Sequence, residues 1–345
     1  MQLNAVPFHV PEARARRRFM RRLGDAALGF GWFQAGYSED LQQGDVQPLR
    51  AMGREFVLWR DDSGQAHVMD AYCPHLGTHL GHGGRVYGDT LRCPFHGWRF
   101  DAAGGYREIP YSNNPRLERH RLKAWPLMER NGLIMVWWHP GDTPPTFDVP
   151  HLHEHQNPAW SRYRRQRWEV DTIWQEVQEN IVDTTHFHYL HGVATLARLE
   201  RFDPIGPTLH VDIRHEFNTP RGKQSGFLQT SLYGPYFAVV RFRIGDLAEI
   251  VFVDSVVPVE PGRVTVTFSL MARLQGIDAP DMSLALVDEA IDQVSQDVPI
   301  WEHKVRWKRP GLAEGDGPIM GFRRWAAQFD LAGHIPQTPC EIAHA

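Results

Sequence analysis

Cysteine is scarce in this chain of 345 residues: Cys73, Cys93 and Cys340. So few, and odd in number, they cannot form the disulfide framework of a small secreted scaffold. A reducing compartment is the expectation, and any thiolate chemistry must run through these positions. Long apolar runs are missing too. The longest, such as Gly132 to Trp138, are strand-sized and fall well short of the ~18 residues of a membrane helix. Neither sign of charge dominates, since 37 Lys and Arg face 41 Asp and Glu for a formal charge of -4. That balance provides no field for nucleic acid or anionic lipid. With 42% apolar and 23% charged residues, the composition also excludes wholesale disorder and collagen-like repeats.

Near the N-terminus, Arg16-Arg17-Arg18-Phe19-Met20-Arg21 imitates a twin-arginine export signal. The short stretch after it carries Asp25 and has neither an apolar core nor a small-residue cleavage site. Residues 1–29 are therefore expected to form a basic helical arm, and the protein is expected in the cytoplasm.

From residue 30 to 140 the chain alternates short β-prone runs with dense turn punctuation. Glu55 to Arg60 ends at Asp61-Asp62-Ser63-Gly64, Ala66 to Ala71 follows, and Leu133 to Trp138 closes the region. This pattern predicts an all-β domain. Pro140 to Pro150 reads as a linker, and His151, His153 and His155 just beyond it as a solvated loop. Residues 141–345 change character. Arg162 to Val170 is strand-like, and Thr172 to Leu190 has helical content ending at Gly192. Ile250 to Val257 and Arg263 to Leu274 suggest a hairpin around Pro261-Gly262, and Asp281 to Lys304 is the strongest helix. The class is α+β, with a long helix lying across an antiparallel sheet.

Two pairs of metal-ligating residues stand out in the first region. Cys73-Pro74-His75 precedes Cys93-Pro94-Phe95-His96, and each tight loop offers one thiolate and one imidazole. Two metals suit such a set: a structural Zn²⁺ taking all four ligands, or a [2Fe–2S] cluster with two thiolates on one iron and two imidazoles on the other. Gly77, Gly81, Gly83, Gly84 and Gly97 crowd these loops, which favours the cluster, whose sulfurs accept close backbone N–H groups. No zinc-finger helix pattern follows His96. His79 and His82 read as polar loop residues.

The second region holds Asn180-Ile181-Val182-Asp183-Thr184-Thr185-His186-Phe187-His188-Tyr189-Leu190-His191. Two His and a carboxylate with open positions are the ligand set of O2-activating non-haem Fe(II). His186 and His191 stand about 140° apart on a regular helix, so they converge on one iron only where the helix bulges or unwinds. His188 points elsewhere on any helical reading and is expected to pack. The third ligand must come from further on, and the long helix offers Asp288, Glu289, Asp292 and Asp297. Only Asp297 lies within about 70° of the centre of the stripe Leu284, Val287, Ile291, Val294 and Val298, so Asp297 is the predicted ligand.

Cys73-Pro74-His75-Leu76-Gly77 with Cys93-Pro94-Phe95-His96-Gly97-Trp98 resembles a Rieske motif. The Asn-x-x-Asp-x-x-His-x4-His stretch and Gln296-Asp297-Val298-Pro299-Ile300-Trp301 resemble the mononuclear-iron segments of Rieske non-haem iron oxygenases. The resemblance spans roughly residues 30 to 330. It implies an all-β Rieske domain followed by a helix-grip (START-like) catalytic domain. It also implies a [2Fe–2S] cluster on Cys73, His75, Cys93 and His96, and Fe(2+) on His186, His191 and Asp297. Asp183, with Asn180 beside it, would act in catalysis, Asp183 as the carboxylate bridging to a Rieske His of a neighbouring subunit in a homotrimer. Electrons would come from NADH through a separate ferredoxin-NAD(P) reductase type donor.

Further motifs narrow the branch. Ala71-Tyr72-Cys73, Gly83-Gly84-Arg85-Val86 and Ile109-Pro110-Tyr111-Ser112 resemble cholesterol 7-desaturases. Asp297 to Lys304 and Arg323-Arg324-Trp325 resemble both those enzymes and the oxygenase component of 3-ketosteroid 9α-hydroxylase. The implied reaction is hydroxylation or desaturation of a steroid or sterol ring carbon. A chain without the membrane segment of the animal desaturases leans towards the hydroxylase. A Rieske oxygenase acting on a non-steroid substrate, by aromatic-ring hydroxylation or oxidative demethylation, and a pure electron carrier are the rival readings.

Overall fold

The computed structural model describes residues 28–112, 120–219, 222–275 and 280–331. The expected arm at 1–29, all but its last two residues, and Cys340 lie outside them. No helix among the described residues is long and apolar enough to cross a membrane.

The first part is all strand. It comprises β1 (Gly31–Tyr37), β2 (Val46–Ala51), β3 (Arg54–Arg60), β4 (Ala66–Asp70), β5 (Arg85–Tyr87), β6 (Thr90–Arg92), β7 (Arg99–Asp101), β8 (Tyr106–Glu108), β9 (Leu127–Arg130) and β10 (Leu133–Trp138). They form three antiparallel sheets ordered β2-β3-β4, β5-β6-β7-β8 and β1-β10-β9. Strand β3 explains how the pieces join. Side chains alternate across a strand, so Phe56 and Leu58 enter one core with Phe33 and Trp125. Val57 and Trp59 enter another with Leu80, Leu91, Trp98, Cys73 and Cys93. The run is apolar at successive positions because both of its faces are covered.

The turn after β3 is held by Asp61. Its Oδ1 accepts from Ser63 N and Oγ and from Gln65 N at 2.7–2.9 Å, and its Oδ2 lies 2.8 Å from His67 Nε2. Burial works against the charged carboxylate, but these bonds outweigh it and hold the pKa near 2. A depressed carboxylate gives stability that is full above its unfolded value near 4 and is lost as pH falls towards 2. Asp61→Ala is expected to cost about 2 kcal/mol at pH 7 and little at pH 2, by urea unfolding at both pH values.

The second part is built on a seven-stranded antiparallel sheet. Its strands are β11 (Arg164–Val170), β12 (Arg198–Ile205), β13 (Thr208–Thr219), β14 (Gly222–Tyr233), β15 (Phe237–Ile244), β16 (Ala248–Glu260) and β17 (Arg263–Leu274), in the order β11-β17-β16-β15-β14-β13-β12. Alternation again sorts the residues. Phe237, Val239, Val251, Val253 and Met271 pack on Trp32, Leu133, Met135 and Trp137 from β1 and β10. The opposite face, with Ile250, Val266, Phe268 and Leu270, turns towards Val287 and Ala290 of the long helix. Four helices complete this part: α1 (Trp174–Gln178), α2 (His186–Tyr189), α3 (Pro280–His303) and α4 (Ile319–Ala326).

The stretch from Pro140 to Pro150, read as a linker, is packed rather than free. Trp32 Nε1 donates to Phe147 O at 2.6 Å and Trp137 Nε1 to Thr143 O at 2.8 Å, and Val149 is fully buried. Phe147 and Val149 anchor it to the apolar wall of β1 and β10. The His151–His155 segment behaves as a loop. His155 stacks on Tyr163, and Glu154 is buried against Arg241. Leu284, placed on the apolar stripe of α3, is 42% exposed because it lies in the first turns, before the helix settles on the sheet.

Candidate active site

The two Cys–His loops are near duplicates. Cys73 N donates to Thr78 O and Gly77 N returns to Cys73 O, at 2.9 and 3.0 Å. Cys93 N donates to Trp98 O and Gly97 N returns to Cys93 O, at 2.8 and 3.2 Å. Gly77 and Gly97 close the turns with φ of 72° and 75°, a left-handed conformation that glycine adopts without strain. Both thiols are buried and adjoin each other. The Cys73 thiol pulls the Cys93 pKa down to about 5 against the effect of burial, aided by the N–H groups of Phe95 and His96. Cys73 is pushed up by the same neighbour and by burial, opposed by the N–H groups of His75 and Leu76. The imidazoles of His75 and His96 meet at 4.7 Å between centroids. His75 stacks flat on Trp98 at 4.8 Å, and Trp98 Nε1 is fixed by Tyr111 Oη at 2.7 Å. His96 Nδ1 is buried without a hydrogen-bond partner. Paired sulfurs cradled by backbone N–H groups, facing two imidazoles of which one has an unsatisfied nitrogen, suit a [2Fe–2S] group of the Rieske kind.

The second constellation also comes together. One ligand atom each from His186, His191 and Asp297 lies within 4.8 Å of the others, and this is the only such trio among the described residues. The expected unwinding is present. After α1 the chain passes through a 3-10 turn at Glu179–Val182, becomes extended at Asp183 (φ −84°, ψ 97°), and then resumes as α2. The helix carrying His186 also stops at Tyr189, with Leu190 its cap, so His191 lies beyond it and is not held to the 140° of a regular helix. His186 Nδ1 donates to Asp183 O at 2.5 Å, and His191 Nδ1 faces Gln296 Oε1 at 3.3 Å. Both Nε2 atoms are thereby left for a metal. Burial lowers the His191 pKa but the Asp297 carboxylate, 3.4 Å from Nε2, raises it further. Asn180 Nδ2 donates to Asp297 Oδ1 at 2.9 Å. Asp297 is buried while Asp288, Glu289 and Asp292 are exposed, as the helical wheel predicts. His188 turns away to Val193 O at 2.6 Å. Asp183 stands beside the trio, its side chain 41% exposed.

Two devices hold the unwound segment in place. Behind it, buried Glu176 and Glu179 meet Lys304, Arg306 and Arg323 at 2.6–2.9 Å. In front, Gly317 lies so close that a Cβ there would stand 1.6 Å from Val182 O. No rotamer change relieves a clash with backbone, so Gly317→Ala must displace the residue before Asp183. It is expected to cost about 1–3 kcal/mol and to lower iron bound at the His–His–Asp trio, with the visible absorbance of the cluster unchanged. Metal analysis beside the absorption spectrum checks this.

Between α3 and the sheet lies a cavity of about 390 Å³ whose wall includes His186, His191 and Asp297. Most of its lining is apolar: Val177, Phe187, Ile213, Leu228, Val240, Phe242, Ile250, Phe252, Phe268, Leu286, Val294 and Trp301 among others, with no Lys or Arg. Leu286 and Val294 are only partly buried because they border this space. Three buried polar residues of the wall were not foreseen, His215, Thr230 and Asp254. His215 sits between Phe187 and Phe242, and burial lowers its pKa to about 4. Asp254 carries a findable signal, a carboxylate inside the apolar run Ile250 to Val257 and in phase with Ile250 and Phe252. His215 carries a similar one, a polar residue in phase with Leu209, Val211 and Ile213 along β13.

The match to known proteins covers both parts. Residues 31–126 match the Rieske [2Fe-2S] domain family and residues 136–329 the 3-ketosteroid 9alpha-hydroxylase C-terminal domain family. The oxygenase component of 3-ketosteroid-9-alpha-monooxygenase from Rhodococcus rhodochrous is 30% identical over 87% of this chain and 83% of its own. Cholesterol 7-desaturase nvd 1 from Ciona intestinalis is 33% identical over 91% of this chain and 71% of its own. In fold, a crystal structure of dicamba monooxygenase superposes with a TM-score of 0.75 at 19% identity, over 89% of this chain and 98% of that one. With two cysteine–histidine loops on an all-β frame and a His–His–Asp trio beside an apolar cavity, and with both parts matched, the chain belongs to the Rieske oxygenase family, alongside the 3-ketosteroid 9α-hydroxylase oxygenase components and the cholesterol 7-desaturases.

Proposed function

We propose that this protein is the terminal oxygenase component that uses O2 and NADH-derived electrons to hydroxylate or desaturate a ring carbon of a steroid or sterol. The observation that carries the reading is the cavity. Its volume lies in the range of small-molecule sites, its wall is apolar, and it opens on His186, His191 and Asp297. The absence of Lys and Arg from that lining disfavours aromatic acids, whose carboxylate would be buried unpaired. A neutral, rigid, mostly hydrocarbon substrate meets no such cost.

In this reading Cys73, His75, Cys93 and His96 hold the cluster and His186, His191 and Asp297 hold the iron. Bound there, the two metal groups supply electron transfer and activation of O2 towards an unactivated C–H bond. The protein's share is positional. Asn180 holds the Asp297 carboxylate, Gln296 and the Asp183 carbonyl set the tautomers of His191 and His186, and the apolar wall excludes water. Asp183 bridges to His75 or His96 of a neighbouring subunit, in a ring of three. Its exposure supports this, as do the uncovered apolar side chains at both ends of the route. Leu76, Phe95 and Tyr111 are exposed around the cluster loops, and Tyr189, Leu196 and Trp307 near the iron segment. The electron donor is a separate reductase of the ferredoxin-NAD(P) type, in the cytoplasm.

The test is turnover with a surrogate NADH-dependent reductase, O2 and a panel of 3-ketosteroids, sterols and aromatic acids, read by mass spectrometry. A steroid that gains one oxygen, or loses two hydrogens, supports the proposal. Reaction of aromatic acids alone overturns it. Iron content should reach about three atoms per chain, whereas a pure electron carrier would hold about two.

A further inference from the structure

One carboxylate of the cavity wall is buried and takes no part in the metal trio. Asp254 lies on β16, paired with Ala238 on one side and Phe268 on the other, in phase with Ile250 and Phe252 on the cavity face. It is 5% exposed, and its Oδ1 has no hydrogen-bond partner. No cation is among the lining residues. The polar group facing it is the Gln178 amide at the end of α1, itself fully buried. A buried carboxyl with one oxygen left unpartnered is costly to a fold. A ligand that supplies the missing partner recovers that cost.

We propose that Asp254 is the specificity-determining residue that engages the oxygen function of the substrate, its carboxyl O–H donating to a ketone carbonyl and so fixing how the ring system lies against the iron trio. The inference rests on the reading that a steroid occupies the cavity. Burial, opposed only by the Gln178 amide, raises the Asp254 carboxyl to about 7, so a large share of it carries the proton that a ketone oxygen needs. Of the other wall residues, Asn180 is committed to Asp297, Glu289 is on the exposed side of α3, and His215 is wedged between the rings of Phe187 and Phe242. An apolar slot with one unsatisfied donor discriminates by oxygen rather than by bulk, because a ligand without the oxygen leaves the donor unpaired.

The experiment measures binding, apart from turnover. Androst-4-en-3-one and its hydrocarbon parent androst-4-ene are equilibrated by dialysis with the metal-loaded protein and with Asp254→Leu and Asp254→Asn, each shown by cluster absorbance and iron content to be intact. The native protein is expected to prefer the ketone by about tenfold or more. Asp254→Asn, which keeps an N–H donor, should retain most of that preference, and Asp254→Leu should bind both steroids alike. The infrared carbonyl band of the bound ketone should fall in frequency in the native and Asn proteins and not in the Leu variant. A preference that survives in Asp254→Leu overturns the assignment, as does equal loss of both ligands, which would mark a purely structural carboxyl. Failure of the native protein to bind either steroid overturns the steroid reading together with this inference.

Discussion

Replacing Asp183 by Asn is expected to reduce steady-state turnover by about 100-fold while iron content and the visible spectrum of the cluster stay unchanged. The separation of effects follows from what each atom of Asp183 does. Its main-chain carbonyl orients His186, and a side-chain change leaves that contact in place. Its Oδ1 accepts from the N–H groups of Thr185 and His186 at 3.2 and 3.3 Å, and an Asn oxygen can do the same. What Asn lacks is the charge. Burial would raise the carboxyl pKa, but the His186 ring and these N–H groups bring it below its usual value, so the native residue is ionised. An anion beside the iron trio, reachable from outside, is what a bridge between subunits requires. Coupled turnover at the native rate in Asp183→Asn would remove that role. Where turnover falls as expected, single-turnover experiments with a pre-reduced cluster locate the lesion, since a lost bridge slows product formation without changing substrate binding.

Glu179→Gln should destabilise the protein by about 3 kcal/mol or more. Glu179 is almost fully buried and takes a two-pronged contact from Arg323, with Nε at 2.6 Å and Nη2 at 2.9 Å. Glu176, also buried, binds Lys304 and Arg306. Removing one anion leaves three partly buried cations around a single nearby carboxylate. The exposed pair Arg50–Glu260, at 3.0 Å, provides the contrast, and Glu260→Gln should cost less than about 1 kcal/mol. Urea unfolding of the two variants side by side checks the ordering, and equal costs would contradict it. Because Glu179 immediately precedes Asn180, the same variant should also lose mononuclear iron to a mild chelator faster than the native protein.

Much of this was legible in the sequence, for identifiable reasons. The metal loops are local. Cys and His two or three residues apart, followed by Gly, specify their own turn, so spacing alone carried the geometry. The end of the helix between His186 and His191 was legible because 140° of helical rotation is incompatible with two imidazoles on one metal. Asp297 was legible because the stripe on α3 is regular enough to tell one buried carboxylate from three solvated ones. What escaped depended on partners remote in the chain. Glu176 and Glu179 look like ordinary surface charges until the segment from Lys304 to Arg323 folds over them. Pro140 to Pro150 has the composition of a linker, and only the wall formed by Trp32 and Trp137 makes Phe147 an anchor. His215 is a single polar residue whose significance appears only when β13 is seen to floor the cavity.

The shared core of β1 and β10 with the back of the seven-stranded sheet has a kinetic consequence. A redox group on a tether delivers its charge by wandering, at a rate set by solvent friction. Here Trp32, Leu133, Met135 and Trp137 are embedded among Val239, Val251 and Met271, which makes the cluster-bearing part a fixed bracket on the catalytic sheet. In a ring of such subunits the gap from one cluster to the next subunit's iron is then set by the interface and not by a swinging arm, and thickening the medium with glycerol should leave the rate of cluster-to-iron electron transfer untouched.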